Sequence, residues 1–186
     1  AHYTVAAEHA TFGQPELRLN IIPGYGGTQR LPRLLADRRG REGLVDAITI
    51  ITNGRDIEAD DANAMGLVDE LSSNPPERRA AILARSHIRG TDSTLQEAHD
   101  KRLTARKRWQ QAEEFDEGVL DHPNIARNRS QCEQVSTGRN RAFTRAVEAI
   151  RQGFEAGIDA DVRTSGYDHL EETAPVAVRH PPKSVV

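Results

Sequence analysis

One glutamate stands among apolar residues in a way that suits proton transfer. Glu16 has Phe12, Pro15, Leu17 and Ile22 as near neighbours in sequence. Partly apolar surroundings disfavour the charged carboxylate and raise its pKa, which allows a carboxyl group to give and take protons near neutral pH. Most glutamates are surface carboxylates or lie at helix starts, so spacing alone leaves both roles open.

A glycine-rich segment follows this glutamate. Residues 21–27 read Ile-Ile-Pro-Gly-Tyr-Gly-Gly, in which proline fixes φ and three glycines permit dihedral angles or close approaches that a Cβ would block. Gly26 and Gly27 precede a predicted helix, whose N-terminus would favour developing negative charge. A plain turn with a helix cap explains the same residues, so this alternative stays open on spacing alone.

The composition excludes several classes of protein. The 186 residues carry 25 Lys and Arg against 28 Asp and Glu, and a net charge of -3 favours neither nucleic acid nor an acidic membrane as partner. Cys132 is the sole cysteine, which leaves no internal disulfide and no thiol cluster for a metal. No apolar stretch approaches the roughly 20 residues of a membrane span, and the N-terminus lacks a secretory pattern. We expect a soluble protein of the reducing cytoplasm.

The apolar spacing predicts many helices and few strands. A strand is predicted over residues 3–7, and a small strand or extended turn should follow Leu67 and Val68. Helices are predicted over residues 28–35, 41–53, 57–66, 77–87, 93–115 and, with the clearest apolar stripe, 143–157. Two short strands cannot form an independent sheet with an apolar face. The chain is therefore either an all-α domain with a stray extended segment or part of an α/β domain.

Several blocks of sequence resemble one known family. They are residues 10–17, Ala-Thr-Phe-Gly-Gln-Pro-Glu-Leu; residues 22–34, which begin Ile-Pro-Gly-Tyr-Gly-Gly-Thr; residues 53–55, Asn-Gly-Arg; and residues 64–69, Ala-Met-Gly-Leu-Val-Asp. In this order and at this spacing they resemble the crotonase superfamily, the enoyl-CoA hydratase/isomerase group. The resemblance favours the α/β alternative and covers residues 1–71.

The resemblance implies a fold, an activity and an assembly. The chain would be the C-terminal half of a family member. Residues 1–71 would form the C-terminal part of a crotonase-like spiral of ββα units, followed by a helical oligomerisation region over residues 72–186 with an insertion. The family binds acyl-CoA esters, stabilises a thioester enolate with backbone N–H groups, and forms homotrimers or dimers of trimers. Its first catalytic glutamate and its oxyanion segment would lie before Ala1. We therefore expect a fragment, inactive alone, whose apolar face around Ala47, Ile48 and Ile51 is uncovered.

The resemblance also assigns roles to residues. Glu16 matches the second catalytic glutamate of hydratases, and Gly24 matches the glycine whose N–H holds water or substrate near the carboxylates. Phe12, Pro23 and Tyr25 would contact the acyl substrate, and Tyr25 stands where smaller residues are common in the family. No metal and no separate cofactor are expected, because coenzyme A is part of the substrate.

Departures from the family pattern keep other functions open. Tyr25 could reshape the acyl pocket. The departures together allow an enlarged pocket that serves an alicyclic or aromatic-pathway thioester, with a hydrolytic or ring-opening reaction. The tail, residues 167–186, lacks the acidic and basic ending through which relatives approach CoA. A non-catalytic assembly module that retains only the helical surface is the alternative outside enzymes. Asn20 replaces a common glycine, which is tolerable because asparagine enters left-handed conformations readily.

Some charged and polar residues have ordinary explanations. The basic residues between Lys101 and Arg108 could meet a CoA phosphate, but interleaved acidic residues favour a solvated helix face. The histidines show no metal-ligand pattern. Trp109 is expected to anchor packing, and Glu8 and Glu42 are expected at the surface.

Overall fold

The computed structural model describes residues 3–157 of the chain. Its α-helices are α1 (Gly27–Asn53), α2 (Ala59–Ala64), α3 (Pro76–Ile88), α4 (Thr94–Trp109), α5 (Pro123–Val135) and α6 (Thr137–Ala156). Its strands are β1 (Val5–Ala7), β2 (Thr11–Phe12), β3 (Ile57–Glu58) and β4 (Glu70–Ser72), and two 3-10 helices cover Pro15–Leu19 and Glu117–Asp121. The described residues thus form a mostly helical α/β structure. The departures predicted for residues 167–186 lie outside them.

The strands form two small sheets at one side of the helices. Strand β1 pairs in parallel with β4, and β2 pairs antiparallel with β3. Ala6, Ala62 and Val68 form a small apolar cluster there, against which Phe12 packs. A parallel pair of three residues each cannot stand alone in water, so its stability comes from packing against the helices.

The main core lies between α1, α5 and α6. The predicted stripe of α6 is confirmed, since Phe143, Val147, Ile150 and Phe154 are all buried in this core. The prediction that Ala47, Ile48 and Ile51 stay uncovered is wrong, because each is fully buried in the same apolar cluster. Helix α5, which the apolar spacing did not predict, packs on both α1 and α6 and supplies Ile125 to the cluster.

Helix α1 consists of two arms joined at a kink. Gly40 has φ 58° and ψ -136°, a conformation that L side chains rarely adopt. Gly43, in the second arm, packs against the end of the first: a Cβ added there would overlap the carbonyl oxygen of Leu35 and lie 3.1 Å from the backbone N of Ala36. Backbone atoms of a packed helix cannot move aside as a flexible side chain can. The close approach therefore requires glycine at position 43.

Gly43→Ala is expected to lower the free energy of unfolding by about 1–3 kcal/mol, because overpacking outweighs the gain in helix propensity. Gly138→Ala is the matched control inside α6, where the new Cβ would meet only the Asn20 side chain at 3.3 Å. That variant should be neutral or slightly stabilising. Urea unfolding followed by circular dichroism measures both, and equal stability of the two variants would contradict the close helix contact.

A buried arginine connects α1 with the end of α6. Arg33 is 2% exposed and forms an ion pair with Glu113, with 2.8 Å between Nη1 and Oε2. Its Nη2 donates to the carbonyl oxygens of Gly153 at 2.9 Å and Phe154 at 3.2 Å, and the guanidinium lies 4.3 Å from the centre of the Phe154 ring. Burial lowers the pKa of Arg33, which the charge of Glu113 opposes. This guanidinium satisfies carbonyl groups of the last turn of α6 that have no partner within the helix.

Helix α4 ends earlier than its charge pattern predicts. It stops at Trp109 rather than near Phe115. Trp109 is an anchor as expected, since it is 9% exposed and its Nε1 donates to Asp37 Oδ2 at 2.6 Å. Phe115 lies beyond the end of α4 and packs edge-on against Phe154, with 5.8 Å between ring centres. No helix in the described part of the chain is long and apolar enough to cross a membrane.

Candidate active site

The short 3-10 helix Pro15–Leu19 positions Glu16. Leu17 is fully buried in the main core and fixes one face of this helix. Asn20 ends it in the left-handed conformation at φ 61°, as its sequence position predicts, and the N–H of Ile21 donates to the carbonyl oxygen of Glu16 at 3.3 Å. These contacts hold the backbone at Glu16 against the core and use no atom of the Glu16 side chain.

The Glu16 carboxylate has an oxygen without a partner. The side chain is half-buried, and no described residue hydrogen-bonds its buried Oε2. The Oε1 atom of Gln14 is buried and unpartnered in the same way. A buried polar atom without a partner costs free energy, and such atoms concentrate where a ligand or a reaction needs them. Two of them within three residues mark this turn as a candidate site.

The glycine-rich segment forms an open helix start beside this turn. Gly26 takes the left-handed conformation at φ 79°, and α1 begins at Gly27 without a side-chain cap. The Gln14 side chain packs so closely on Gly27 that a Cβ there would lie 2.7 Å from Nε2. The contact brings the Glu16 turn and the N-terminus of α1 together. An uncapped N-terminus carries about half a positive charge and offers free N–H donors.

Gly24 lies in this segment with free space beside it. It is half-buried, and a Cβ added to it would meet no atom within 4 Å. Its neighbour Pro23 is buried, whereas Tyr25 is 89% exposed. A glycine with open space at its Cα and an exposed aromatic residue are therefore adjacent in this segment. Packing within the chain does not explain why a large ring is exposed here.

Phe12 is placed differently from the other predicted site residues. It is half-buried on β2 and packs against the small cluster of Ala6, Ala62 and Val68. Ile22, predicted as an apolar neighbour of Glu16, packs against the main core. Pro15 is exposed. The apolar surroundings of Glu16 thus come mainly from the core side of the turn.

Among the other charged residues, most of the predicted basic face is solvated. Lys101, Arg106 and Lys107 are exposed, and Arg108 forms ion pairs with Asp37 and Glu113. Glu8 and Glu42 are exposed as expected. Within residues 3–157 no group of His, Cys, Asp or Glu is arranged to hold a metal ion.

Comparison with known proteins assigns the chain to a family. The sequence pattern of the family described as enoyl-CoA hydratase/isomerase matches residues 1–132, which is most of the chain. The chain belongs to the enoyl-CoA hydratase/isomerase family. The unpartnered oxygens and the open helix start both lie inside the matched stretch.

Individual relatives share a shorter stretch. The glyoxysomal fatty acid beta-oxidation multifunctional protein MFP-a of Brassica napus is 41% identical over 70 residues, 38% of this chain and 9% of that protein. The peroxisomal bifunctional enzyme of Danio rerio is 42% identical over 71 residues, which are 38% of this chain and 9% of that enzyme. The short-chain-enoyl-CoA hydratase of Clostridioides difficile is 40% identical over 87 residues, which are 44% of this chain and 52% of that hydratase. The chain thus spans about half the length of that hydratase and about a tenth of the larger proteins.

Family membership leaves the residue roles as predictions. The family match includes Glu16 and Gly24, and the structure adds Gln14, which the sequence reasoning did not single out. The available signal was its place directly before Pro15, two residues from the glutamate. The division at residues 71 and 72 also stays a prediction.

Proposed function

We propose that the protein is an acyl-CoA-processing enzyme of the enoyl-CoA hydratase/isomerase type. The observation that carries this proposal is the buried, unpartnered Oε2 of Glu16 in a turn whose Gln14 packs on the uncapped start of α1, inside the stretch that matches the family. A carboxylate in that position suits proton transfer to or from carbon. A helix N-terminus suits the negative charge that develops on the thioester oxygen.

The proposed chemistry proceeds through a stabilised enolate. In hydration, the oxygen of water adds to the carbon farther from the thioester, and a proton is delivered to the carbon beside it. In isomerisation, a proton leaves one carbon and returns to another, which a single carboxylate can carry. Glu16 is the proton-transfer group in either reaction, and the Gly24 N–H helps hold water or substrate.

The acyl group is proposed to contact Pro23, Tyr25 and Phe12. The exposure of Tyr25, at 89%, supports a role at the mouth of the site, because a ring there contacts whatever approaches Gly24. Phe12 packs against the smaller apolar cluster. Its proposed contact with the acyl chain would therefore be made from strand β2. The substrate supplies coenzyme A, and no separate cofactor is proposed.

The remaining predictions concern the whole protein. We infer that the described residues form the later part of a ββα spiral, which the pairing of short strands around α2 supports. The assembly is proposed to be a homotrimer or a dimer of trimers. The predicted compartment was the cytoplasm, whereas relatives carry the words peroxisomal and glyoxysomal in their names, so a peroxisome-type compartment is the competing proposal.

An assay of the full-length protein on a panel of enoyl-CoA thioesters tests the proposed activity. Linear and cyclic substrates should be compared, with hydration, double-bond migration and thioester hydrolysis followed separately. Hydration or migration as the fastest reaction is the expected result. Predominant hydrolysis of a cyclic thioester would favour the ring-opening alternative, and assembly without turnover of any thioester would favour the non-catalytic module.

A further inference from the structure

A polar cleft adjoins the 3-10 helix that carries Glu16. Its volume is about 360 Å³, and it is formed where α1 and α5 end and α6 begins. Its walls carry Arg18, Arg55 and Arg139, together with amide side chains including those of Asn53 and Asn128. No aspartate or glutamate is among its lining residues.

The three arginines have no acidic partners among the residues that the structure describes. Nine ion pairs are formed within residues 3–157, and none of them involves Arg18, Arg55 or Arg139. The whole chain has a net charge of -3, so a local group of three unpaired cations is contrary to its average. Like charges repel one another, and an anion between them would relieve that repulsion.

Helix ends change the local charge but do not cancel it. The C-termini of α1 and α5 each contribute about half a negative charge, and the N-terminus of α6 about half a positive charge. Together they oppose the three guanidinium groups by roughly half a charge. Glu133 is adjacent to Cys132 in α5 but is exposed and does not line the cleft. The three guanidinium charges therefore outweigh the charges of the helix ends.

The floor of the cleft is held by hydrogen bonds. Thr52 is 2% exposed and donates from Oγ1 to the carbonyl oxygen of Ile48 at 2.7 Å, while Asn128 Nδ2 donates to Thr52 Oγ1 at 2.9 Å. Arg139 donates from Nη2 to the carbonyl oxygen of Arg18 at 2.6 Å, and from Nε to Asn20 Oδ1 at 3.2 Å. Its guanidinium is thus fixed in place before any ligand arrives, which lowers the cost of binding.

Burial raises the pKa of the Cys132 thiol in the wall of this cleft, and the charge of Arg139 opposes that rise. The charge of Glu133 adds to the rise. The side chain of Arg55 makes no hydrogen bond or ion pair within residues 3–157, and its backbone N–H donates to Asn53 Oδ1 at 2.7 Å. This contact turns the Asn53 carboxamide so that its oxygen is already used, leaving the NH2 group as a donor.

From this arrangement we propose that the cleft is a binding site for a small phosphate-bearing molecule. Guanidinium groups bind phosphate oxygens through two parallel hydrogen bonds, and three of them around a concave space suit a phosphate or diphosphate group. A volume of about 360 Å³ falls within the range of small-molecule pockets, whereas a partner protein would need a broader and flatter surface. Glu16 is not among the residues that line this cleft.

Titration calorimetry of the full-length protein with inorganic pyrophosphate tests this site. Saturable binding is expected, and Arg55→Gln should raise the Kd about tenfold, since one charge-assisted partner is lost. Arg139→Gln should weaken binding at least as much, although it also removes the contacts to Arg18 and Asn20. Arg127→Gln is the matched control, because Arg127 is exposed on α5 and does not line the cleft.

Coenzyme A identifies the source of the phosphate. If Arg55→Gln weakens coenzyme A binding as it weakens pyrophosphate binding, the cleft takes the phosphate groups of the thioester substrate. If only pyrophosphate binding is weakened, the site serves a separate phosphate compound. The proposal is overturned if pyrophosphate binds the Arg55 variant and the wild type equally, or if chloride at matched ionic strength abolishes all binding. Neither result depends on turnover, so the site can fail while the proposed activity stands.

Discussion

Glu16→Gln in the full-length protein is expected to lower kcat by about 10²-fold or more while leaving the Kd for acyl-CoA thioesters nearly unchanged. The amide keeps the size of the side chain but can neither accept nor deliver the proton. The 3-10 helix around it should remain intact, because its position depends on Leu17 and on the backbone bond from Ile21. A loss confined to kcat identifies an interaction that is made in the transition state.

Glu8→Gln is the matched control for this substitution. Glu8 is exposed and lies eight residues before Glu16. Its substitution by glutamine removes the same negative charge. It should leave kcat and the Kd within experimental error of wild type. If Glu16→Gln keeps the full rate on the best substrate, the assignment of Glu16 as the proton-transfer group fails. If both variants lose binding alike, the effect belongs to net charge rather than to the site.

Arg33→Met is expected to lower the free energy of unfolding by about 3 kcal/mol, the lower end of the range for breaking a buried ion pair. The lower end applies because Glu113 is 34% exposed and keeps its ion pair with Arg108 when Arg33 is removed. The larger part of the cost comes from the carbonyl group of Gly153, which loses its buried donor, whereas the carbonyl group of Phe154 still accepts from the backbone N–H of Glu113 at 2.7 Å. The loss of the cation–π contact with Phe154 adds to it.

Arg39→Met is the control on the same helix. Arg39 forms an ion pair with Asp46 at the surface, and exposed pairs contribute between 0 and about 1 kcal/mol. Urea unfolding at fixed pH and salt compares the two variants. The Arg33 interpretation is wrong if its variant is no less stable than the Arg39 variant. Loss of cooperative unfolding in the Arg33 variant alone would show that α6 detaches from α1.

Strong periodicity and local chemistry made parts of the fold predictable. The predicted apolar stripe of α6 is confirmed. Each of its large apolar residues contacts the core, so the burial pattern follows the helical period of the sequence. Asn20 is the one described non-glycine residue at positive φ, and its replacement of a common glycine pointed to that conformation. The family blocks predicted membership, which the match over residues 1–132 shows.

Other features depended on contacts that no local pattern carries. Helix α5 buries Asn128 through hydrogen bonds to Thr49 and Thr52 of α1, so a polar residue occupies a core position and breaks the apolar period. The end of α4 was misplaced because Phe115 packs against Phe154, far along the chain. The cleft arginines come from three distant segments, and only folding brings them together.

The candidate site was predictable only where it depends on local sequence. Glu16 and the glycine-rich segment lie close in sequence, and their positions follow from one short 3-10 helix and one helix start. The burial of Oε2 and the packing of Gln14 on Gly27 are tertiary properties. Both depend on the packing of α1 against the Glu16 turn, which no local sequence pattern encodes.

Transfer of a solvent proton to the acyl carbon beside the thioester tests the central claim most directly. Full-length wild-type and Glu16→Gln proteins would be incubated in D2O with a saturated or unsaturated acyl-CoA, and deuterium at that carbon would be measured by NMR or mass spectrometry. Incorporation catalysed by the wild type and reduced about 10²-fold or more in the variant is the predicted result. Equal incorporation by both proteins would contradict the proposed role of Glu16.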